Sequence, residues 1–405
     1  MPYVKNASGF YPADILVPKE EYLPEWCVPP VDQHTSEPEF WDSLKEAAGS
    51  RPSTLDLVLP EAYLGTAREE EALRRISHYM KSYLEHGCFR EIKNSLIRIE
   101  REQSTGLFRR GLLGAIDLEK YDFDPDKKAA IRATEETVPS RLPPRIRIRE
   151  TASVELPHIL VLYNDPLFLL QEAADKTLAR IGAVPLYDFR LPVCGHRIRG
   201  TVIPGEQAGE IMNTLDRLLE GSFLAVGDGN HSLAAAKALY EMKKKDPSAS
   251  ERELALSRYA LVELVSCQDE AMPFEPIHRI VSASISEIQK HAEASNGEYE
   301  YRFALLDENH ETSLLIRSDR DILPVAVLQE FLDRTGWKVD YIHDEDTLRV
   351  LSKSGRGTGV LLPGLDRGML FPTVEKIGVL PRKTFSLGRA EDKRFYLEGR
   401  RISER

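Results

Sequence analysis

The segment from Phe223 to Lys245 constrains this chain most. An apolar run, Phe223-Leu-Ala-Val226, leads into the turn Gly227-Asp-Gly-Asn-His231, and a helical stretch with three consecutive alanines follows from Ser232. A strand, a tight turn and a helix in that order imply a layered fold with helices covering a sheet. The first turn of such a helix has backbone N–H groups without intrahelical partners, which suits an anion. Gly227 and Gly229 permit close approach to the backbone. The spacing matches neither common nucleotide motif: there is no GxxxxGK[ST], and Ser232 stands where GxGxxG has its third glycine. A helix capped by Ser232 or Asn230 would give the same pattern with no ligand. Capping does not require Asp228, Asn230 and His231 together on one turn, a carboxylate for a metal or proton beside an imidazole that titrates near neutrality.

Elsewhere helices and strands alternate. Leu73, Ile76, Met80, Tyr83 and Leu84 recur at helical spacing between Glu69 and Gly87, and strands are predicted at Phe89 to Glu100 and Gly111 to Ile116. Arg145-Ile-Arg-Ile-Arg149, after Pro143-Pro144, alternates every second residue and predicts a strand with three guanidiniums on one face. Strands are also predicted at His158 to Tyr163, Val184 to Phe189, Arg197 to Ile203 and Arg258 to Cys267, with helices at Pro166 to Arg180 and Gly205 to Leu219. Beyond Val281 helices are expected at Ile285 to Glu293 and Val325 to Thr335, and strands at Glu298 to Leu305, Ser313 to Ile316, Trp337 to Ile342 and Gly359 to Leu362. The class is therefore α/β or α+β, with mixed sheets and flanking helices. At roughly 150 residues per domain, 405 residues divide into two or three units. The expected units are residues 1–150, an α+β unit; 151–285, carrying the loop; and 286–405, an α/β unit. The loop is expected to face a cleft lined partly by the N-terminal unit.

Lys plus Arg is 54 and Asp plus Glu is 65, so the net charge of −11 disfavours nucleic acid as a partner and a nuclease as a function. The four cysteines, Cys27, Cys88, Cys194 and Cys267, form no CxxC pair, which fits a reducing compartment. No stretch of ~18 apolar residues occurs, and the first residues lack a basic segment followed by an apolar one. A cytoplasmic protein without a membrane anchor is expected. HExxH, Cys/His clusters and GxSxG are absent, so zinc hydrolysis and serine-hydrolase chemistry have no local support.

Several stretches together resemble domain-of-unknown-function family 1015. They are Val28-Pro-Pro-Val-Asp-Gln-His-Thr-Ser-Glu-Pro-Glu-Phe-Trp41, Gly111-Leu-Leu-Gly-Ala-Ile-Asp-Leu-Glu119, Arg132-Ala-Thr-Glu135, Arg141-Leu-Pro-Pro-Arg145, Glu155-Leu-Pro-His158 and Leu380-Pro-Arg-Lys-Thr-Phe385. The resemblance covers nearly the whole chain. Many relatives read Asp-Gly-His-His-Arg at the central loop, whereas this chain reads Asp228-Gly-Asn-His-Ser232 and lacks one histidine and the arginine. The loop in turn resembles that of free-serine kinases of the ParB and sulfiredoxin-like superfamily, which implies that fold for the central unit and nucleotide phosphates as ligands. The resemblance also implies a link to serine biosynthesis, making serine or phosphoserine the substrate class to consider.

Phosphoryl transfer needs anion donors, usually a divalent metal, and a group that positions or deprotonates the nucleophile. Gly227, Gly229, Asn230 and Ser232 are the candidate phosphate cradle. Asp228 is the candidate ligand for Mg²⁺ or orienter of the attacking hydroxyl, and His231 the group that bonds or protonates the leaving oxygen. Asp32 is the second candidate carboxylate through the resemblance of Pro30-Val31-Asp32 to the family's opening motif. Ser36 and Glu39 nearby could equally cap a helix from Pro38 to Ala47. Arg145 could bind an anion or belong to a salt-bridged surface. His278 and Arg279, in a Pro-x-His-Arg sequence that also resembles the family, and Arg382 and Lys383 near the C-terminus complete the phosphate-binding candidates. His158 begins an apolar strand and reads as structural. The leading expectation is Mg²⁺-dependent phosphoryl transfer with ADP or ATP on a small polar metabolite, by a serine kinase or phosphoserine phosphatase. The alternative is a non-catalytic nucleotide-binding switch.

Overall fold

Along the strand Tyr259–Ser266, Ala260, Val262 and Leu264 enter one hydrophobic core and Leu261 another, because successive side chains of a strand point to opposite faces. The computed structural model describes residues 7–31, 33, 34, 37–63, 66, 68–137, 142–308 and 310–404, and it forms two compact units. The first comprises residues up to 133, 137–272 and 390–405; the second comprises 134–136 and 273–389. The expected boundary at residue 150 falls inside the first unit, and the last sixteen residues return to it.

The first unit is built on a mixed eleven-stranded sheet. Its main path runs Tyr121–Asp122, Ile131–Ala133, Leu224–Asp228, Leu160–Tyr163, Tyr259–Ser266, Phe108–Asp117, Phe89–Glu102, Arg197–Pro204 and Pro185–Arg190. Leu224–Asp228 lies parallel to Ile131–Ala133 and antiparallel to Leu160–Tyr163, with Asp228 opposite Leu160. Helices Leu169–Ile181, Gly209–Leu218 and Asn230–Lys245 cover one face through Leu170, Ala174, Ile211, Leu215, Leu233 and Ala236. The other face is covered by helix Arg68–Glu85, through Ile76 and Met80, by Trp26 and Trp41, and by Phe395 to Leu397 of the returning segment.

Buried charge fixes that returning segment. Glu263 takes Arg109 at 3.1 Å and Arg394 at 2.9 Å, and Arg394 also pairs with Glu398 at 2.6 Å, all four being nearly inaccessible. Gly111 makes room for this cluster, since a Cβ there would lie 2.6 Å from Glu263 Cγ. Burial alone would raise the Glu263 carboxyl, but Arg109, Arg394 and Arg101 outweigh it and hold it below the usual range. Arg400 pairs with Glu155 at 2.7 Å, and Trp26 Nε1 donates to the Leu397 carbonyl at 2.9 Å.

The second unit has an antiparallel five-stranded sheet in the order Glu311–Ser318, Tyr299–Leu306, Thr358–Leu361, His278–Val281, Val339–Ile342. Helices Ile285–Ala292 and Pro324–Asp333 form as the sequence predicts, the first with a capping box between Ser284 and Glu287. Helices Glu345–Lys353 and Arg367–Ile377 are additional to the predicted elements.

The chain from Leu142 to Thr151 is a helix, and the predicted Arg-Ile strand is corrected accordingly. Pro143 and Pro144 occupy its first turn, where a missing N–H costs nothing, and five alternating residues are too few to overrule a helix there. Arg145 and Arg149 therefore share one face at i, i+4 spacing, while Arg147 reaches Glu69 elsewhere. All four cysteines are free thiols. Among the described residues no helix is long and apolar enough to cross a membrane.

Candidate functional site

The loop at the end of Leu224–Asp228 is set by one glycine. Gly229 has φ +80 and is the N-cap of helix Asn230–Lys245, and a Cβ on it would lie 2.9 Å from Ile159 Cγ1 and 3.2 Å from Ile159 Cα. A left-handed conformation and backbone-to-backbone packing both demand glycine here. The helix begins two residues before Ser232, and no side chain caps it, so neither Ser232 nor Asn230 has the expected capping role. The first-turn amides of Asn230, His231 and Ser232 stand at the positive end of a sixteen-residue helix.

The side chains of the loop divide by role. Asp228 accepts from the Gly229 N–H at 2.9 Å and pairs through its other oxygen with Lys393 Nζ at 3.2 Å. Asn230 is buried, and its amide donates to the Val226 carbonyl at 3.4 Å, tying helix to strand. His231, the helix's second residue, is half-buried. Lys393 is absent from the predicted set, because it lies 165 residues from Asp228 and arrives only when the last segment folds back. An ammonium already neutralising Asp228 makes a poor Mg²⁺ site, and among the described residues no three His, Cys, Asp or Glu side chains gather to hold a metal. The expected Mg²⁺ on Asp228 thus does not fit the residues present.

Ser232 also lines a cavity of about 150 Å³ within the first unit. Its walls bring together Val31, Glu61, Arg145, Arg149, Glu155, His158, Ile159 and Tyr396 with apolar side chains such as Leu59, Met80 and Ile148. Arg145 pairs with Glu61 and Arg149 with Glu155, so two guanidiniums and two carboxylates edge the cavity. Burial would raise Glu155, yet Arg400 and Arg149 together hold it below the usual range. Tyr396 accepts the Val31 N–H at 3.4 Å and meets the His158 ring edge-on, with centroids 5.5 Å apart. The structure thus brings Arg145 and Ser232 of the predicted set to one place, with His158 and Tyr396 beside them. A mostly apolar concavity with a few converging polar groups is the usual form of a small-molecule site.

Asp32 and Ser36 lie outside the described residues, and helix Pro38–Ala48 starts after Glu37 without a side-chain cap from that residue. His278, Arg279, Arg382 and Lys383 belong to the second unit. His278 is buried, its Nδ1 accepts the Leu362 N–H at 3.2 Å, and burial pushes its imidazole down. Arg279 is 0% exposed; it donates to Gln329 at 3.2 Å and to the Ile277 carbonyl at 2.6 Å, and lies over the Tyr341 ring. Burial lowers its guanidinium to about 10. An arginine so enclosed is a structural tie, which corrects its expected phosphate contact. Arg382 and Lys383 have exposed side chains, and the Arg382 carbonyl accepts from Arg279 at 3.4 Å.

A family model described as "Protein of unknown function (DUF1015)" matches residues 11–335. The chain belongs to this family. Membership accords with the stretches from Val28-Pro-Pro-Val31 to Glu155-Leu-Pro-His158 that resemble it. No curated protein matches the chain by sequence. Among solved structures it is similar to a conserved hypothetical protein from Pyrococcus furiosus, with 13% identity and a TM-score of 0.33 over 70% of this chain and 94% of that one. A free serine kinase in complex with AMP shows 12% identity and a TM-score of 0.36 over 71% of this chain and 91% of the other. SbnI from Staphylococcus aureus, with a C-terminal truncation, shows 12% identity and a TM-score of 0.35 over 69% and 85%. At these TM-scores the likeness assigns neither activity nor ligand to this chain.

Proposed function

We propose that the first unit is a phosphoryl-transfer enzyme acting on a small polar metabolite, with the phosphate seated on the first turn of helix Asn230–Lys245. One observation carries this reading: Ser232 belongs both to that turn and to the wall of the cavity that holds Arg145 and His158. A phosphate on the amides would thus adjoin a space sized for a small acceptor. Asp228 fixes Lys393, and the ammonium supplies the fixed positive charge that the sequence assigned to a metal. The mixed charge around the cavity, Arg145 with Glu61 and Arg149 with Glu155, suits a molecule bearing both an amino and a carboxylate group. Serine and phosphoserine, the substrate class implied by the family resemblance, have that character.

Phosphorus NMR of the protein with Mg²⁺, ADP and phosphoserine, beside Asp228→Ala, tests the reading. New ATP identifies a kinase and inorganic phosphate alone a phosphatase, and Asp228→Ala is expected to abolish either signal. An unchanged spectrum refutes phosphoserine turnover and favours the non-catalytic nucleotide-binding switch.

A further inference from the structure

We propose that His158 is a catalytic residue of the cavity, the group that takes the proton from the hydroxyl of a small acceptor. The inference rests on the phosphoryl-transfer reading and assigns its acceptor subsite.

His158 is only 9% exposed, lines the cavity, and has a ring contact with Tyr396 but no hydrogen-bond partner among the described residues. An imidazole without a protein partner keeps its ring nitrogens for a ligand or water in the cavity it lines. The wall's carboxylates are each held by a guanidinium, Glu61 by Arg145 and Glu155 by Arg149, which suits them to charged ligand groups and not to taking a proton. Among the described wall residues the imidazole is thus a proton acceptor not held in an ion pair.

Its position relative to the loop is fixed by backbone. Ile159, the next residue, is the one that a Cβ on Gly229 would strike, and Leu160 stands opposite Asp228 in the sheet. The Ile159 carbonyl also accepts the Glu263 N–H at 3.1 Å, so the segment is held on both sides. The cavity is therefore bordered by both His158 and Ser232 of the helix turn.

The step balances with a nucleoside triphosphate as donor. The acceptor oxygen attacks the γ-phosphorus while its proton passes to the imidazole, and the bond from that phosphorus to the bridging oxygen breaks. The bridging oxygen leaves on the diphosphate with the electron pair. The products are a phosphomonoester, a nucleoside diphosphate and an imidazolium that returns its proton to water. In reverse, the imidazolium protonates the departing alkoxide.

His158→Ala and His158→Asn are assayed with L-serine plus ATP and with phosphoserine plus ADP, and each is checked by thermal unfolding. The expected result is a kcat lower by about 100-fold in both variants with KM changed by less than about threefold. Added imidazole is expected to restore at least about tenfold of the loss in His158→Ala, which a structural role does not allow. Should the alanine variant fail to fold, the asparagine variant, which keeps a polar side chain but no base, carries the test. Phosphoryl transfer by the unsubstituted protein that survives both substitutions overturns the role of His158 alone. A loss that imidazole does not rescue in a folded His158→Ala also overturns it. If the unsubstituted protein transfers no phosphoryl group in either direction, the parent reading fails and this inference with it.

Discussion

Replacing Glu263 with glutamine tests how the last segment is held at the site. Both carboxyl oxygens are engaged, Oε1 by Arg109 at 3.1 Å and Oε2 by Arg394 at 2.9 Å, and the side chain is 1% exposed. Glutamine keeps the shape but leaves buried guanidiniums short of one negative charge. Breaking such a pair from one side costs about 3–5 kcal/mol. For a unit of this size a urea m-value near 3 kcal/mol/M turns that cost into a midpoint lower by roughly 1–1.7 M. Tryptophan fluorescence is the assay, because Trp26 lies in the same core and its indole N–H binds the Leu397 carbonyl. The pH dependence follows from the low carboxyl of Glu263. A folded value below the unfolded one of about 4.3 gives stability that is full above that value and lost as pH falls through the folded value. The gap between the two proteins is therefore expected to narrow as pH drops below about 4. A midpoint shift under about 0.3 M at neutral pH, or a gap independent of pH, is incompatible with an ionised Glu263 holding the segment.

Gly229→Ala combines a left-handed conformation, costing about 1–2 kcal/mol, with a methyl pressed on Ile159, costing about 1–3 kcal/mol. Urea titration is expected to show a loss of about 2–5 kcal/mol, and a neutral effect would contradict the close approach of Gly229 to Ile159. Lys393→Met removes the partner of Asp228 at a partly buried position and is expected to cost about 1 kcal/mol of stability. It is expected to weaken inorganic phosphate binding by about tenfold, measured by calorimetry; equal affinity would remove Lys393 from the site. His278 is held down by burial while its Nδ1 accepts a backbone N–H, so its NMR titration midpoint is expected below the usual 6.5. The second unit should then lose stability as pH falls below about 6.5, where the unfolded chain takes the proton first; a midpoint at or above 6.5 contradicts this.

Local pattern made much of the frame legible. Helix Arg68–Glu85, strand Tyr259–Ser266 and the strand–loop–helix around Gly229 follow from apolar spacing and one glycine. The Arg145 to Arg149 stretch misled because its alternation is short and two prolines, read as a turn, fill the first turn of a helix instead. Lys393, Tyr396 and the ion pairs of Glu263 are contacts across more than 130 residues, and no local period encodes them. Arg394 and Glu398 look like surface charges by composition, yet each is buried because the other is present. His158 reads as structural from its sequence for the same reason: the emptiness around a side chain is visible only once its neighbours are placed.

The most direct measurement is the backbone amide spectrum of the protein during titration with phosphoserine and then ADP. Amides of Gly229, His231 and Ser232 are expected to shift together with those of His158 and Ile159, because the anion seat and the cavity adjoin. Shifts confined to other parts of the chain, or none at either ligand, would contradict a phosphate site on this helix.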